Sequence, residues 1–132
     1  MARFETYRVR LLDRRITKIY NDELAGSGLT ALQFLLLGLL QGRRGCSIGQ
    51  LATLAYLSTS ATSRNLRIMR NRGWLLDTSN GDARRRAIQV TAEGLRIWRE
   101  ALPCWKSAQR RAAIVLGPEA WRALSVVVGL VH

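Results

Sequence analysis

The feature that most restricts the fold is a pair of short helical patterns, joined by a brief turn, with a hairpin signal directly after them. The first pattern is SIGQLATLAYL, in which Ser47 and Gln50 have the spacing of a capping box. The second is STSATSRNLRIMRNRG, where a hydroxyl residue at positions 58–60 caps a helix that Gly73 ends. Two helices joined in this way predict a helix-turn-helix unit.

A two-stranded hairpin is expected immediately after this unit. Residues 74–78 form a candidate strand, and Asn80-Gly81 tolerates the positive φ angles that a two-residue hairpin turn requires. Ile88 and Val90 belong to the returning strand. A helix-turn-helix followed by a hairpin is a winged helix, so the expected fold class is mainly α with a small β-hairpin wing.

Apolar helical patterns lie towards both ends of the chain. Residues 4–24 predict one long helix, and LTALQFLLLGLLQG predicts a second that is apolar nearly all round. Thr91 is expected to cap a long helix that Pro103 kinks or splits, and Gly117-Pro118 precedes a final amphipathic helix. The central helices and the hairpin cannot cover all of these apolar faces. This favours a dimer built from both chain ends over packing within one chain.

The charge of the chain is strongly positive and unevenly distributed. The net charge is +12, from 21 basic and 9 acidic residues in a chain of 132. Residues 43–86 hold nine arginines against Asp77 and Asp82, a net charge of +7. Such a cluster indicates a polyanionic partner: nucleic acid first and an acidic membrane surface second, with an inert basic surface as the remaining alternative.

One face of the second helix of the unit is the candidate DNA-contacting surface. At about 100° per residue, Ser60, Arg64, Arg67 and Asn71 fall on one polar stripe opposite a more apolar face. Hydroxyl, guanidinium and amide groups bind base edges and phosphates in a major groove, although a solvated basic face has the same pattern. The candidate residues on this helix are Thr59, Ser60, Ser63, Arg64, Arg67 and Asn71.

The hairpin tip carries a second candidate DNA contact, formed by Asp82, Arg84, Arg85 and Arg86. Three adjacent arginines repel one another, so a nearby anion would offset the cost, and a narrow minor groove attracts arginine. Asp82 is expected to hold one of these arginines in place through a salt bridge. The alternative is a flexible, solvated tip.

Other classes of function lack their signatures in the sequence. Paired carboxylates, a glycine-rich phosphate loop and a cysteine–histidine cluster are missing, so we expect no enzyme, no cofactor and no metal site. Cys46 and Cys104 lie far apart, and His132 is the single histidine. The longest apolar run, FLLLGLL, is far short of the roughly 18 residues of a membrane span, and the first residues lack an apolar signal core. A cytoplasmic protein without a membrane partner is expected.

Taken together, the motifs resemble the MarR family of transcriptional regulators over nearly the whole chain. LTALQFLLLGLL is similar to the family's LTxxQFxxLxxL helix. The helix-turn-helix has the usual serine, arginine and glycine at Ser60, Arg64 and Gly73. Asp82 and Arg84 resemble the DxR motif of the wing, and VTAEG stands where LTxxG is usual.

The resemblance implies one MarR-like domain, with a winged helix-turn-helix at residues 30–99 and dimerisation helices at residues 1–29 and 100–132. It also implies a homodimer that binds double-stranded DNA at a pseudo-palindromic operator, usually as a repressor. Members are often released from DNA by a small aromatic or phenolic effector, for which the sequence assigns no residues. The alternative is a winged-helix module that binds protein or RNA without a specific operator.

Overall fold

The computed structural model describes residues 2–43, 45–78 and 87–131, apart from the side chains of residues 2–4 and 127–131. The predicted order of helices and hairpin strands is confirmed in this part of the chain. The elements are α1 Ala2–Leu24, a 3₁₀ helix Ala25–Ser27, α2 Ala31–Leu40, α3 Ile48–Ala55, α4 Thr59–Asn71, β1 Leu75–Asp77, β2 Ile88–Val90, α5 Ala92–Leu116 and α6 Pro118–Val131.

The chain forms two compact units, Met1–Gly28 with Pro103–His132 and Leu29–Leu102. The boundary falls inside α5, which continues as one helix through Pro103. Of the two outcomes expected at Pro103, a kink or a split, the split is therefore wrong. Pro103 lies on the exposed side of the helix, where the carbonyl that loses its helical N–H partner can bond to water.

In the unit of Met1–Gly28 with Pro103–His132, α1 packs against the second part of α5. The rings of Tyr20 and Trp105 lie with centroids 4.4 Å apart, and Arg111 Nη1 donates to Glu23 Oε1 at 3.0 Å. The buried residues here are Ile19, Leu24, Ala108 and Ala112. Within the described ranges, no single helix combines the length and apolar composition that a membrane crossing requires.

The core of Leu29–Leu102 lies where α2, α3 and α4 meet the hairpin. Its large, fully buried side chains are Leu36, Leu37, Leu40, Leu51, Leu66, Met69 and Ile88. The Phe34 and Trp98 rings stack at 5.0 Å between centroids, and Trp98 Nε1 donates to Phe34 O at 3.1 Å. These contacts fix the first part of α5 on α2.

Two capping boxes fix the starts of α2 and α3. The predicted box at α3 is confirmed: Gln50 N donates to Ser47 Oγ at 3.1 Å, and Ser47 N donates to Gln50 Oε1 at 3.0 Å. Thr30 and Gln33 make the same reciprocal bonds at α2. This second box was not predicted, although its residues have the same spacing.

The hairpin is a short antiparallel pair that a third segment extends. Leu75 pairs with Val90, and Asp77 pairs with Ile88. The loop before α3 forms an isolated bridge to the returning strand, in which Ile88 N donates to Cys46 O at 2.9 Å. The hairpin is therefore joined to the helix-turn-helix by backbone hydrogen bonds as well as by its buried side chains.

The start of α5 is held against the end of α4. Thr91 caps α5 as predicted, because Gly94 N donates to Thr91 Oγ1 at 3.0 Å. The same hydroxyl donates to Gly73 O at 2.6 Å, and Thr91 N donates to Trp74 O at 3.0 Å. One threonine thus links the end of α4, the start of the hairpin and the start of α5.

Candidate nucleic-acid interface

Helix α4 begins at a cap made by its own sequence. Ser58 is the N-cap, and its Oγ accepts from Ala61 N at 3.1 Å. Thr62 Oγ1 donates back to Ser58 O at 2.9 Å, so the buried hydroxyl of Thr62 is satisfied. The first turn of α4 is therefore fixed by hydrogen bonds on the side that faces the core. Its opposite side faces solvent.

The two faces predicted for α4 are present in the structure. Thr62, Leu66 and Met69 are each 0% exposed and pack into the core. The opposite face places the polar candidates side by side, because residues three and four apart share one side of a helix. Five of the six candidates are exposed and Ser63 is half-buried; the exposed ones are Thr59, Ser60, Arg64, Arg67 and Asn71.

The arginines of this face differ in their partners. Arg64 and Arg67 make no ion pair with any described residue. Their guanidinium groups therefore face solvent without an internal counter-charge among those residues. Such groups gain most from a polyanion, because binding releases condensed counterions and adds charge-assisted hydrogen bonds.

Arg70 and Asp77 form an ion pair that sequence analysis missed. Arg70 Nη1 lies 2.5 Å from Asp77 Oδ2, and each side chain is 29% exposed. The pair joins the last turn of α4 to the end of β1. Opposite charges seven residues apart gave no signal, because the contact depends on the turn that reverses the chain after α4. Arg72 contacts a different group, because its Cζ lies 5.1 Å from the centroid of the Trp74 ring.

The wing candidates Asp82, Arg84, Arg85 and Arg86, and the salt bridge expected for Asp82, lie outside the described residues. The residues that flank this segment are described and are held together. Thr78 N donates to Ala87 O at 2.7 Å, and Thr78 Oγ1 donates to the same oxygen at 3.2 Å. Thr78 and Ala87, which flank the segment that carries the arginines, are therefore hydrogen-bonded to each other at the end of the sheet.

The described residues include no group of three or more His, Cys, Asp or Glu side chains placed to hold a metal ion. Cys46 is buried, and this burial raises the pKa of its thiol, while the charge of Arg43 acts in the opposite direction. The exposed Glu93 carboxylate has a lowered pKa, mainly because Arg96 donates a hydrogen bond to it. Neither group belongs to the polar face of α4.

Comparison by sequence connects the chain to one family. A model of the MarR family matches residues 27–86, which extend from the end of the 3₁₀ helix through α4 and β1. No curated protein matches the chain in sequence.

Solved structures that are similar to this chain cover almost its whole length. MosR, a transcriptional regulator of M. tuberculosis, is 25% identical with a TM-score of 0.79, over 96% of this chain and 93% of that chain. MosR in complex with DNA is 26% identical with a TM-score of 0.75, over 92% and 91%.

Two more distant structures share the fold. A probable transcriptional regulator from Pseudomonas aeruginosa is 19% identical with a TM-score of 0.83, over 96% of both chains. Bordetella bronchiseptica BpsR, whose DNA binding is regulated by 6-hydroxynicotinic acid, is 19% identical with a TM-score of 0.82, over 96% of this chain and 93% of that chain. The winged helix-turn-helix predicted from the sequence is therefore the fold of the chain.

Proposed function

We propose that the chain, which matches a model of the MarR family over residues 27–86 and is similar to the transcriptional regulator MosR in structure, is a sequence-specific repressor that binds operator DNA as a homodimer. It acts by binding rather than by catalysis, and it works in the cytoplasm without a membrane partner. The observation that carries the proposal is the exposed face of α4, which presents Arg64 and Arg67 without internal counter-charges among the described residues.

The arrangement of α4 supports insertion into a major groove. Its apolar face is anchored by Leu66 and Met69, so the helix is rigidly attached to the core. Hydroxyl, amide and guanidinium groups on its other face supply donors for base edges and phosphates. The arginines at 84–86, on the hairpin that adjoins α4, are proposed to contact the adjacent minor groove.

Exposed apolar side chains support the homodimer. Tyr7 and Val9 on α1, and Ile114 and Val115 on α5, are 63–80% exposed although they are large and apolar. Large apolar side chains left this exposed on the helices of both chain ends favour an association surface there. A two-fold dimer places two α4 helices about one helical turn of DNA apart, so the operator is expected to have half-sites about 10–11 base pairs apart.

Control by a small aromatic or phenolic effector completes the proposal. MosR, which is similar over 92% of this chain, has been seen with DNA, and BpsR shares the fold and has its DNA binding regulated by 6-hydroxynicotinic acid. An effector of this class would lower DNA affinity by binding better to a conformation that does not fit the operator.

The RNA-binding alternative finds less support in the described residues. Proteins that bind single-stranded RNA stack bases on exposed aromatic rings. Among the aromatic residues of Leu29–Leu102, Trp74 is only 5% exposed and Phe34 and Trp98 stack on each other, which leaves the single ring of Tyr56, 70% exposed, rather than a stacking platform. The face of α4 that carries the arginines includes no aromatic residue.

Selection of bound duplexes from a random pool tests the proposal. The selected sequence is expected to be a pseudo-palindrome, with affinity at least about 1,000-fold above that for random duplex at physiological salt. Single-stranded RNA of the same length serves as the competitor. Equal affinity for selected duplex, random duplex and RNA would contradict sequence-specific operator binding.

A further inference from the structure

The turn between α3 and α4 contains a residue with an unusual backbone conformation. Among the described residues, Tyr56 is the single residue other than glycine with a positive φ angle, 55°, and its ψ angle is 43°. These angles lie in the left-handed helical region, where the Cβ atom of an L-residue crowds the neighbouring backbone. Glycine adopts the same conformation without that cost, because it has no Cβ atom.

The fold requires this conformation but not the tyrosine side chain. Tyr56 N donates to Thr53 O at 3.3 Å, and Leu57 N donates to Ala52 O at 3.0 Å, which satisfies carbonyl groups in the last turn of α3. Both bonds come from the backbone, so glycine would make them equally well. The side chain of Tyr56 is 70% exposed, the largest fraction for a large apolar or aromatic residue in the described part of Leu29–Leu102. Burial of the ring therefore does not offset the strained conformation.

Tyr56 lies shortly before the part of α4 that is assigned to DNA contact. Leu57 and Ser58 separate it from the exposed Thr59, so the Cα atoms of Tyr56 and Thr59 are at most about 11 Å apart. In a helix-turn-helix, the N-terminal residues of the second helix contact base edges, so the turn before them lies at the border of the major groove. Phosphates line this border, and a tyrosine hydroxyl is among the uncharged side-chain groups that donate to them.

We propose that Tyr56 is an additional DNA-contacting residue, whose hydroxyl donates a hydrogen bond to a phosphate at the border of the groove that holds α4. This inference rests on the proposed function. Strained backbone conformations cluster at functional sites, and an exposed ring gives this one a contact that forms only when DNA is bound. Because every sequence presents the same phosphates, the contact adds affinity without sequence preference and fixes how α4 enters the groove.

The variant Tyr56→Gly separates a contact with DNA from a role in folding. It removes both the strain and the exposed ring, so the melting temperature should rise by about 2–4 °C. Its affinity for the selected operator should nevertheless fall at least about fivefold, because the bond to the phosphate is lost. A residue that only supports the fold would change both quantities in the same direction. A lower melting temperature, or an unchanged operator affinity, would overturn the proposal.

Ala55→Gly is the matched control, because it introduces glycine one position earlier, at the last residue of α3. Glycine is a poor helix former, so this variant should melt about 2–4 °C lower than the wild type. It keeps Tyr56 and should bind the operator within about twofold of the wild type. A loss of affinity equal to that of Tyr56→Gly would trace the effect to a more flexible turn and would contradict the contact.

Tyr56→Phe removes only the hydroxyl and keeps the ring. We expect it to bind the selected operator and random duplex at least about fivefold more weakly, by the same factor for both. The slope of log affinity against log salt should not change, because an uncharged donor releases no counterion. Wild-type affinity in Tyr56→Phe would overturn the phosphate contact, and a loss confined to the operator would show a base contact instead.

Operators that carry one uncharged methylphosphonate at a time locate the phosphate. At one position in each half-site, this replacement should weaken the wild type and should weaken Tyr56→Phe by a factor at least about threefold smaller, since the variant has already lost the bond. Equal losses for the two proteins at every position would contradict the contact. If the wild type binds no duplex DNA, the proposed function fails and the contact fails with it. Selective binding by the wild type, matched by Tyr56→Phe, overturns only the contact.

Discussion

At Gly94, the backbone of α5 approaches the start of the hairpin so closely that no side chain fits. A Cβ at this position would lie 2.3 Å from Trp74 O, and that oxygen is held in place by Thr91 N. The sequence predicts the cap at Thr91 because cap spacing is a local property. The contact at Gly94 was not predictable in this way, since it appears only when the hairpin has folded onto the helix.

Gly94→Ala is expected to destabilise the protein by about 2–4 kcal/mol, because the added methyl group clashes with backbone rather than with a movable side chain. Urea unfolding followed by circular dichroism measures the change. Gly26→Ala is the matched control, since a Cβ there meets no atom within 4 Å, and it should change stability by less than about 1 kcal/mol. Equal stability of the two variants would show that the backbones do not approach as described.

At the scale of helices and strands, local patterns predicted α4 and the hairpin, whereas the tie between them was found only in the structure. The polar stripe of α4 follows from helical periodicity, and the strands follow from the turn signal at Asn80-Gly81. The Arg70–Asp77 pair and the unbroken α5 depend on tertiary surroundings, which periodicity does not contain. The pair fixes the end of α4 to the strand from which the wing departs.

The variant Asp77→Asn tests whether the Arg70–Asp77 pair positions the wing or affects DNA binding only through its charge. Removing a negative charge beside a basic surface should by itself strengthen DNA binding. If the pair positions the wing, the variant should instead bind its operator about three- to tenfold more weakly, as expected for loss of a partly buried pair. Fluorescence anisotropy at fixed salt measures the affinity.

Two controls accompany this measurement. Asp13→Asn removes the same charge from an exposed position on α1 and should not weaken binding. The exchange of both residues, Arg70→Asp with Asp77→Arg, should restore part of the lost affinity because the pair can re-form. Tighter operator binding by Asp77→Asn would contradict the positioning role.

At the scale of the whole molecule, composition and apolar patterning predicted a basic DNA-binding protein that associates through its chain ends. The structure identifies the large apolar side chains that are exposed in one chain. Among the described residues, Ile114 has the highest exposed fraction of these, 80%. The sequence could not identify these residues, because a helical apolar stripe covered within one chain has the same spacing as a stripe covered by a second subunit.

Ile114→Glu should therefore leave the fold of one chain intact and weaken dimerisation at least about 100-fold, because it buries an unpaired charge in the association surface. Sedimentation velocity across a concentration series measures the dimer population. Gln109→Glu adds the same charge at an exposed polar position and should remain dimeric. A wild-type protein that is monomeric at all concentrations would rule out the homodimer.

The most direct test of the central claim is the affinity of Arg64→Ala for the selected operator and for random duplex. If the exposed face of α4 contacts bases, the loss on the operator should exceed the loss on random DNA by about 1–3 kcal/mol. Arg110→Ala, which removes an exposed arginine from α5, should show no such difference. An operator affinity unchanged by Arg64→Ala would contradict the assignment of α4 as the DNA-contacting helix.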